Sequence, residues 1–327
     1  MGPFLDAERL AAHRACNVLH SLLLIGAQGG LMLLPAWLIG GATGVLVALF
    51  MVALVVLLAP RIGPETVMRL YRARPVDDRH GVQLLRLTAV LAERAELPHI
   101  PGLYVVPSAT LNAFASGTSR HAAIAVTEGL LRRLSLRELA GVLAHEMSHI
   151  RNDDLAVMGL ADAMTRFTQL FAWLALGFAV LNVLAWLLGL DLFSWAAIAL
   201  LYLTPAASSL LQLALSRTRE FDADLEAAGL TCDPQGLASA LGALEAQQGR
   251  LLEDLMLPPT RRVPFPSLLR SHPDTAERIA RLADLARAPR QVASPSPIVV
   301  VDEPMFSLVG LGPAEMAPRR RWPGLWY

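Results

Sequence analysis

The chain of 327 residues contains no lysine: its 28 basic residues are all arginine, and they are balanced by 28 aspartates and glutamates. A net charge of zero excludes a broad electrostatic nucleic-acid binder, which carries a basic excess. Charge is scarce overall, at 17% of residues against about 25% in an average soluble domain. Cysteine is scarcer still. Cys16 and Cys232 lie far apart, without CxxC spacing, which excludes a disulfide framework and agrees with a reducing compartment. The hydrophobic share of 54% excludes a disordered chain. The absence of lysine matches a codon bias and is assigned no function.

Charge is missing above all from three windows. Residues 15–60 form a run of 46 with no Asp, Glu, Lys or Arg, long enough for two membrane helices of about 20 residues each. Gly40-Gly41-Ala42-Thr43-Gly44 is the natural turn between them. Residues 167–190 and 192–216 are also charge-free and are separated only by Asp191, so they read as a second hairpin. The polar leader holds Asp6, Glu8, Arg9 and Arg14, and the apolar run outlasts a signal-peptide core of about 7–15 residues. It reads as a retained anchor. The hairpin tips carry no arginine, whereas the opposite ends carry Arg9, Arg14, Arg61, Arg69, Arg72, Arg74, Arg79, Arg151, Arg166, Arg217 and Arg219. The positive-inside rule then places both termini and the polar segments in the cytosol, on the inner membrane of the cell.

Five regions follow: 1–60 with a membrane hairpin, 61–166 as a first polar part, 167–215 as the second hairpin, 216–288 as a second polar part, and a Pro-rich tail at 289–327. Within the polar parts, 80–97 has helical periodicity ended by Pro98. Leu103–Val106 reads as a strand, and Asn112–Ser116 and Ala122–Thr127 read as two more around Gly117-Thr118-Ser119. Ser135-Leu136-Arg137-Glu138 has the form of a capping box. It opens a helix whose apolar face is Leu136, Leu139, Ala140, Leu143 and Met147.

That helix carries His145-Glu146-Met147-Ser148-His149. Residues four apart share a helix face, so both imidazoles can reach one metal, and Glu146 can accept a proton from the water that such a metal activates. Alone, the motif is only moderately specific: a surface helix with two histidines has the same letters. A catalytic zinc takes three protein ligands, so a third is needed. Arg217-Thr218-Arg219-Glu220-Phe221-Asp222-Ala223-Asp224 follows the last apolar window directly. Glu220 can bind the metal, and Asp224, four residues on, can accept the free ring N–H of a ligand histidine.

HEMSH at 145–149, a membrane hairpin, then SRTREFDAD at 216–224 resemble the HtpX-type membrane zinc metalloproteases, gluzincin-like peptidases related to the CaaX prenyl-protein endopeptidases. Asn112-Ala113-Phe114-Ala115-Ser116-Gly117 resembles that family's NAF(A)xG segment, and Ser271-His272-Pro273 with Arg278-Ile279 its SHPxxxxRI segment. Asp153 stands where relatives often have Gly. The resemblance covers about residues 15–285. It implies an α+β architecture: a mainly helical zincin-like catalytic domain with a small mixed β-sheet, plus four transmembrane helices in two hairpins. It implies one Zn2+ per chain on His145, His149 and Glu220, with Glu146 as general base. It further implies His272 as donor to the developing oxyanion, Arg278 as an orienting or charging group, and Asn112, Ala113 and Phe114 as substrate-binding residues on an edge strand. The expected partners are the lipid bilayer and polypeptides, misfolded or damaged membrane proteins among them.

Three other readings compete. In an intramembrane protease the HExxH helix lies inside the bilayer, where Arg137, Glu138, Arg151, Asp153 and Asp154 are too costly. A CaaX-type prenyl-protein processing enzyme shares the motifs but has more than four spans. A scaffold or transporter with a vestigial metal site calls for more polar residues within its spans than Asn17, His20, Gln28, Gln169, Asn182 and Gln212.

Overall fold

The computed structural model describes residues 7–58, 63–77, 81–190, 192–256 and 275–287, together with the short paired stretches 320–321 and 325–326. Two compact units partition the chain. One holds Met1–Ala11, Ile62–Leu155 and Arg219–Tyr327; the other holds Ala12–Arg61 and Ala156–Thr218.

The apolar unit is built from α1 (Ala7–Leu58), most of α6 (Asp154–Leu187) and the first part of α7 (Trp195–Thr231). Among the described residues these are the three helices long and apolar enough to cross a membrane. Their outward apolar side chains are exposed, as expected of helices solvated by lipid: Leu22, Leu46, Phe50, Trp173, Trp186 and Leu210 are examples. α1 is helical on both sides of Gly41, whose φ of 56° and ψ of −140° break it. Residues eight apart on a straight helix are separated by about 12 Å. A Cβ on Gly44 would nevertheless overlap the carbonyl of Ala36, so the chain doubles back at this point.

The few polar residues of this unit are used for joining helices. Gln28 on α1 is buried, and its Nε2 donates to Thr165 Oγ1 at 2.8 Å and lies 2.6 Å from Ser208 Oγ, linking α1 to α6 and α7. Such bonds act as adhesive where lipid removes the hydrophobic driving force. Asn182 clamps the α6–α7 connection by two 2.9 Å bonds to the backbone of Phe193.

The polar unit contains α2 (Pro64–Leu70), β1 (Arg74–Pro75), α3 (Val82–Arg94), β2 (Gly102–Val106), β3 (Ala113–Thr118), β4 (His121–Thr127), α4 (Glu128–Arg133), α5 (Leu136–Arg151), α8 (Pro234–Met256) and α9 (Thr275–Arg287). The sheet is mixed, in the order β1-β2-β4-β3. β2 runs parallel to β4, and β1 and β3 pair antiparallel. β4 is buried on both faces. Ile124 and Val126 point into a core with Leu84, Leu91, Leu139, Leu143 and Met147, while Ala123 and Ala125 pack with Met68, Val106 and Phe114 on the other face. β3 is an edge strand in this order; Gly117, at φ 108°, is part of it and pairs with Ala122, so the turn to β4 is made by Ser119-Arg120 rather than by Gly117-Thr118-Ser119.

Candidate metal centre

α5 begins with a complete capping box: Ser135 Oγ accepts from the Glu138 N–H, and the Glu138 carboxylate accepts from the Ser135 N–H at 2.9 Å. Its apolar stripe seats it against the sheet and α8. Gly141 permits that contact, since a Cβ there would stand 2.8 Å from Leu237 Cα. Arg137 pins the start of α5 to Asp233, ahead of α8, through two bonds of 2.5 and 2.8 Å. The helix is thus fixed before its motif begins.

His145 and His149 are buried one turn apart on α5, with Nε2 atoms 3.3 Å from each other. Glu220 on α7 completes the set, 3.3 Å from His145 Nε2 and 3.8 Å from His149 Nε2. The three ligand atoms lie within 4.8 Å of one another. The opposite ring nitrogens are also engaged. His145 Nδ1 lies 3.1 Å from Asp224 Oδ1, and His149 Nδ1 lies 2.9 Å from Asp154 Oδ2. When each Nδ1–H donates to its carboxylate, each Nε2 presents a lone pair. Two lone pairs and a carboxylate facing one another are satisfied by a cation, so this donor set fits a metal of the zinc type.

Two arginines close the carboxylates from behind. Arg278 on α9 is 4% exposed. It grips both Asp224 oxygens at 2.7 Å and lies 3.1 Å from Glu220 Oε2. Arg219 binds the second oxygen of Asp154. Burial acts to lower the pKa of His145, but hydrogen bonding and charge from Asp224 and Glu220 override it and lift the ring to about 10. Burial likewise works against the charge on Arg278, whose neighbours Asp224, Glu220 and Glu146 raise it above its usual value. The same negative surroundings favour a bound cation.

Of the residues expected from sequence, the structure brings together His145, His149, Glu220, Asp224 and Arg278. Glu146 follows His145 on α5 and is half-buried. Among the described residues no hydrogen bond ties down its carboxylate. Ala113 and Phe114 open β3: Phe114 packs inward with Met68, and Ala113 lies against the α5 side of the core. The backbone of Asn112 is held by Thr127 just ahead of the strand. His272 lies outside the described residues. Sequence reasoning missed Asp154 and Arg219. Their signal was faint: an acid at the start of a helix, and an arginine beside the third ligand. Asp153 adopts φ 52°, a region that glycine enters without strain, and its Oδ1 accepts from the Ser119 N–H at 3.2 Å.

A metal site on two i, i+4 histidines and a glutamate from a second helix, in a chain with membrane-type helices, defines the class of membrane metalloproteases. The comparisons specify it further. The profile of peptidase family M48 matches residues 80–286, and the chain belongs to that family. It is 33% identical over 286 residues to the "Protease HtpX homolog" of Burkholderia mallei (strain SAVP1), covering 84% of this chain and 99% of that one. The homologue from Burkholderia pseudomallei (strain 668) matches to the same extent. The chain is thus an HtpX-like membrane metalloprotease. The crystal structure of S. mikatae Ste24p aligns over 86% of this chain and 67% of that chain, at 21% identity and a TM-score of 0.46.

Proposed function

We infer that this chain is a zinc endopeptidase that cleaves polypeptides, misfolded or damaged membrane proteins among them, at the cytosolic face of the inner membrane. The observation that carries the reading is the convergence of His145, His149 and Glu220 within 4.8 Å, each imidazole backed by its own carboxylate. These three residues would hold one zinc per chain, which would supply Lewis acidity toward the scissile carbonyl and toward water. Asp224 and Asp154 fix the tautomers of the two histidines. Arg278 holds Asp224 and Glu220 in place and acts as a positioning residue.

Glu146 accepts the proton from the attacking water and delivers it to the amide nitrogen as the C–N bond breaks. The oxygen of that water ends in the new carboxylate. His272 serves as donor to the developing oxyanion, a role carried over from the family motif. The free edge of β3 offers backbone groups to an extended substrate, which gives sequence-tolerant binding. Asn112, Ala113 and Phe114 place and support that edge.

The regions 1–60 and 167–215 are read as membrane hairpins, and 61–166 with 216–288 as the catalytic domain. The doubling back at Gly41 supports two crossings within α1, hence four in all. The arginine distribution supports a cytosolic catalytic domain. The test is cleavage of a misfolded membrane substrate by purified protein with and without zinc, beside Glu146→Gln. The variant should retain zinc and lose about 10²–10⁴-fold in rate. Wild-type cleavage by Glu146→Gln would remove Glu146 from the mechanism, and metal-independent cleavage would end the zinc reading.

A further inference from the structure

We propose that Gln247 on α8 is a positioning residue for the polypeptide substrate: it holds the entry to β3 in the same frame as the metal ligands. The proposal rests on the assignment of the β3 edge to substrate. β3 is bonded along one side only, to β4. Where the strand begins is decided by residues 108–112, which connect it to β2. This connection folds back onto the end of β4 and the start of α4. The Gly129 N–H donates to Ser108 O at 2.9 Å, and Thr127 Oγ1 donates to Thr110 O at 2.6 Å. The Asn112 N–H donates to Thr127 Oγ1 at 3.0 Å. At Gly129 a Cβ would overlap the Ala109 carbonyl, so the fold-back is close.

The Leu111 N–H is served from elsewhere. Leu111 is buried, so its N–H needs an acceptor within the protein. That acceptor is Gln247 Oε1 at 2.9 Å, from 136 residues further along the chain. The Nε2 group of the same amide faces the Ala109 carbonyl at 3.5 Å. A primary amide carries an acceptor and a donor side by side, and so can engage a backbone N–H and a backbone carbonyl together. Among the described residues, Gln247 is the only side chain from a helix that bonds to this connection.

The other end of α8 is seated on the metal helix. Leu237 lies against Gly141 of α5, where there is no room for a Cβ. Ser239 Oγ donates to Glu138 Oε1 at 2.5 Å, closing the carboxylate that also caps α5. Gly141 precedes His145 by one turn. From Leu237, ten helical residues carry the chain about 15 Å to Gln247. α8 is thus a strut with α5 at one end and the entry to β3 at the other. Peptide cleavage needs such a strut, because β3 would hold the substrate backbone while α5 holds the metal. A misplacement of about 1 Å between them can cost about 100-fold in rate.

The test uses full-length protein in detergent, first with Glu146→Gln so that peptide is held and not cut. Chains with Gln247, Gln247→Leu, Gln247→Glu or the exposed control Glu245→Gln are compared. A fluorescein-labelled ten-residue peptide rich in valine and threonine reports binding by anisotropy. Zinc affinity is read by competition with a chromogenic chelator, and amide exchange is followed at 108–113. Gln247→Leu should bind the peptide about tenfold more weakly and exchange faster at Leu111, with zinc affinity unchanged. Gln247→Glu keeps an acceptor for the Leu111 N–H and should recover most of the binding, while Glu245→Gln should match the Gln247 chain. With Glu146 restored, kcat/KM of Gln247→Leu for the same peptide should fall about 10–100-fold.

Peptide binding in Gln247→Leu equal to that of the Gln247 chain, beside faster exchange at Leu111, overturns the proposal alone: the bond then only stabilises the loop. Zinc affinity that falls in step with peptide affinity also overturns it, since the damage then lies in α5. Gln247→Glu as weak as Gln247→Leu overturns the acceptor role. Zinc-loaded protein with Gln247 intact that binds no peptide overturns the assignment of β3 to substrate, and the proposal with it.

Discussion

Arg278→Met isolates what the buried guanidinium contributes. In the wild-type chain it donates two 2.7 Å bonds to Asp224 and lies 3.1 Å from Glu220. Both carboxylates are nearly inaccessible to solvent. Methionine fills a similar volume but leaves two buried carboxylates without their cation. Removing one partner of a buried pair costs about 3–5 kcal/mol, chiefly because the other charge is stranded. For a domain of this size that corresponds to a fall of about 6–20 °C in the unfolding midpoint. The loss should be largest after metal is chelated and smaller with zinc, because a divalent cation neutralises the same carboxylates. Adding Asp224→Asn removes one stranded charge and should recover much of the chelated-state loss. Thermal unfolding in detergent of wild type, both singles and the double variant reads all of this. A midpoint for Arg278→Met within about 2 °C of wild type in chelator would refute the reasoning, as would a double variant no more stable than Arg278→Met.

Glu220→Ala should purify with substoichiometric zinc, while Asp154→Asn should retain the site at about 10–100-fold weaker affinity; metal analysis with competition by a chromogenic chelator distinguishes them, and full occupancy in Glu220→Ala would point to a different third ligand. At Asp153, glycine should be more stable than alanine by about 1 kcal/mol, because both variants lose the Ser119 bond but only alanine pays for the left-handed backbone; equal denaturation midpoints for the two variants would contradict this. A reporter fused near Gly41 should read as outside the cytosol and one near Arg79 as cytosolic, with the reverse pattern overturning the orientation.

How much could be read from the sequence depended on whether the relevant partners were local. The two histidines and the capping box were legible because helical spacing fixes which residues share a face. The turn at 40–44 was legible from its glycines, although the chain remains helical up to and beyond Gly41. Asp154 was not legible. Two adjacent acids follow Asn152, and only the way α6 starts beside the end of α5 selects the second as the partner of His149. Arg219 was obscured in the same way, since its role follows from that of Asp154. The sheet was legible as strands but not in its order, because the parallel pairing of β2 with β4 passes over β3, the strand between them in sequence. The parts resting on recognised motifs, His272 above all, had no local physical argument behind them.

The position of Arg278 along the chain has a consequence for how the enzyme is made. Asp224 precedes it by 54 residues, and the two histidines and Glu220 are earlier still. A ribosome therefore releases the entire ligand set well before the cation that balances it. Until α9 arrives, Asp224 lacks the guanidinium that grips both its oxygens and holds it behind His145. The cutting edge of this protease is thus among the last parts to set, after both sets of membrane-type helices have been translated. A proteolytic enzyme assembled in that order matures only once α9 has been made.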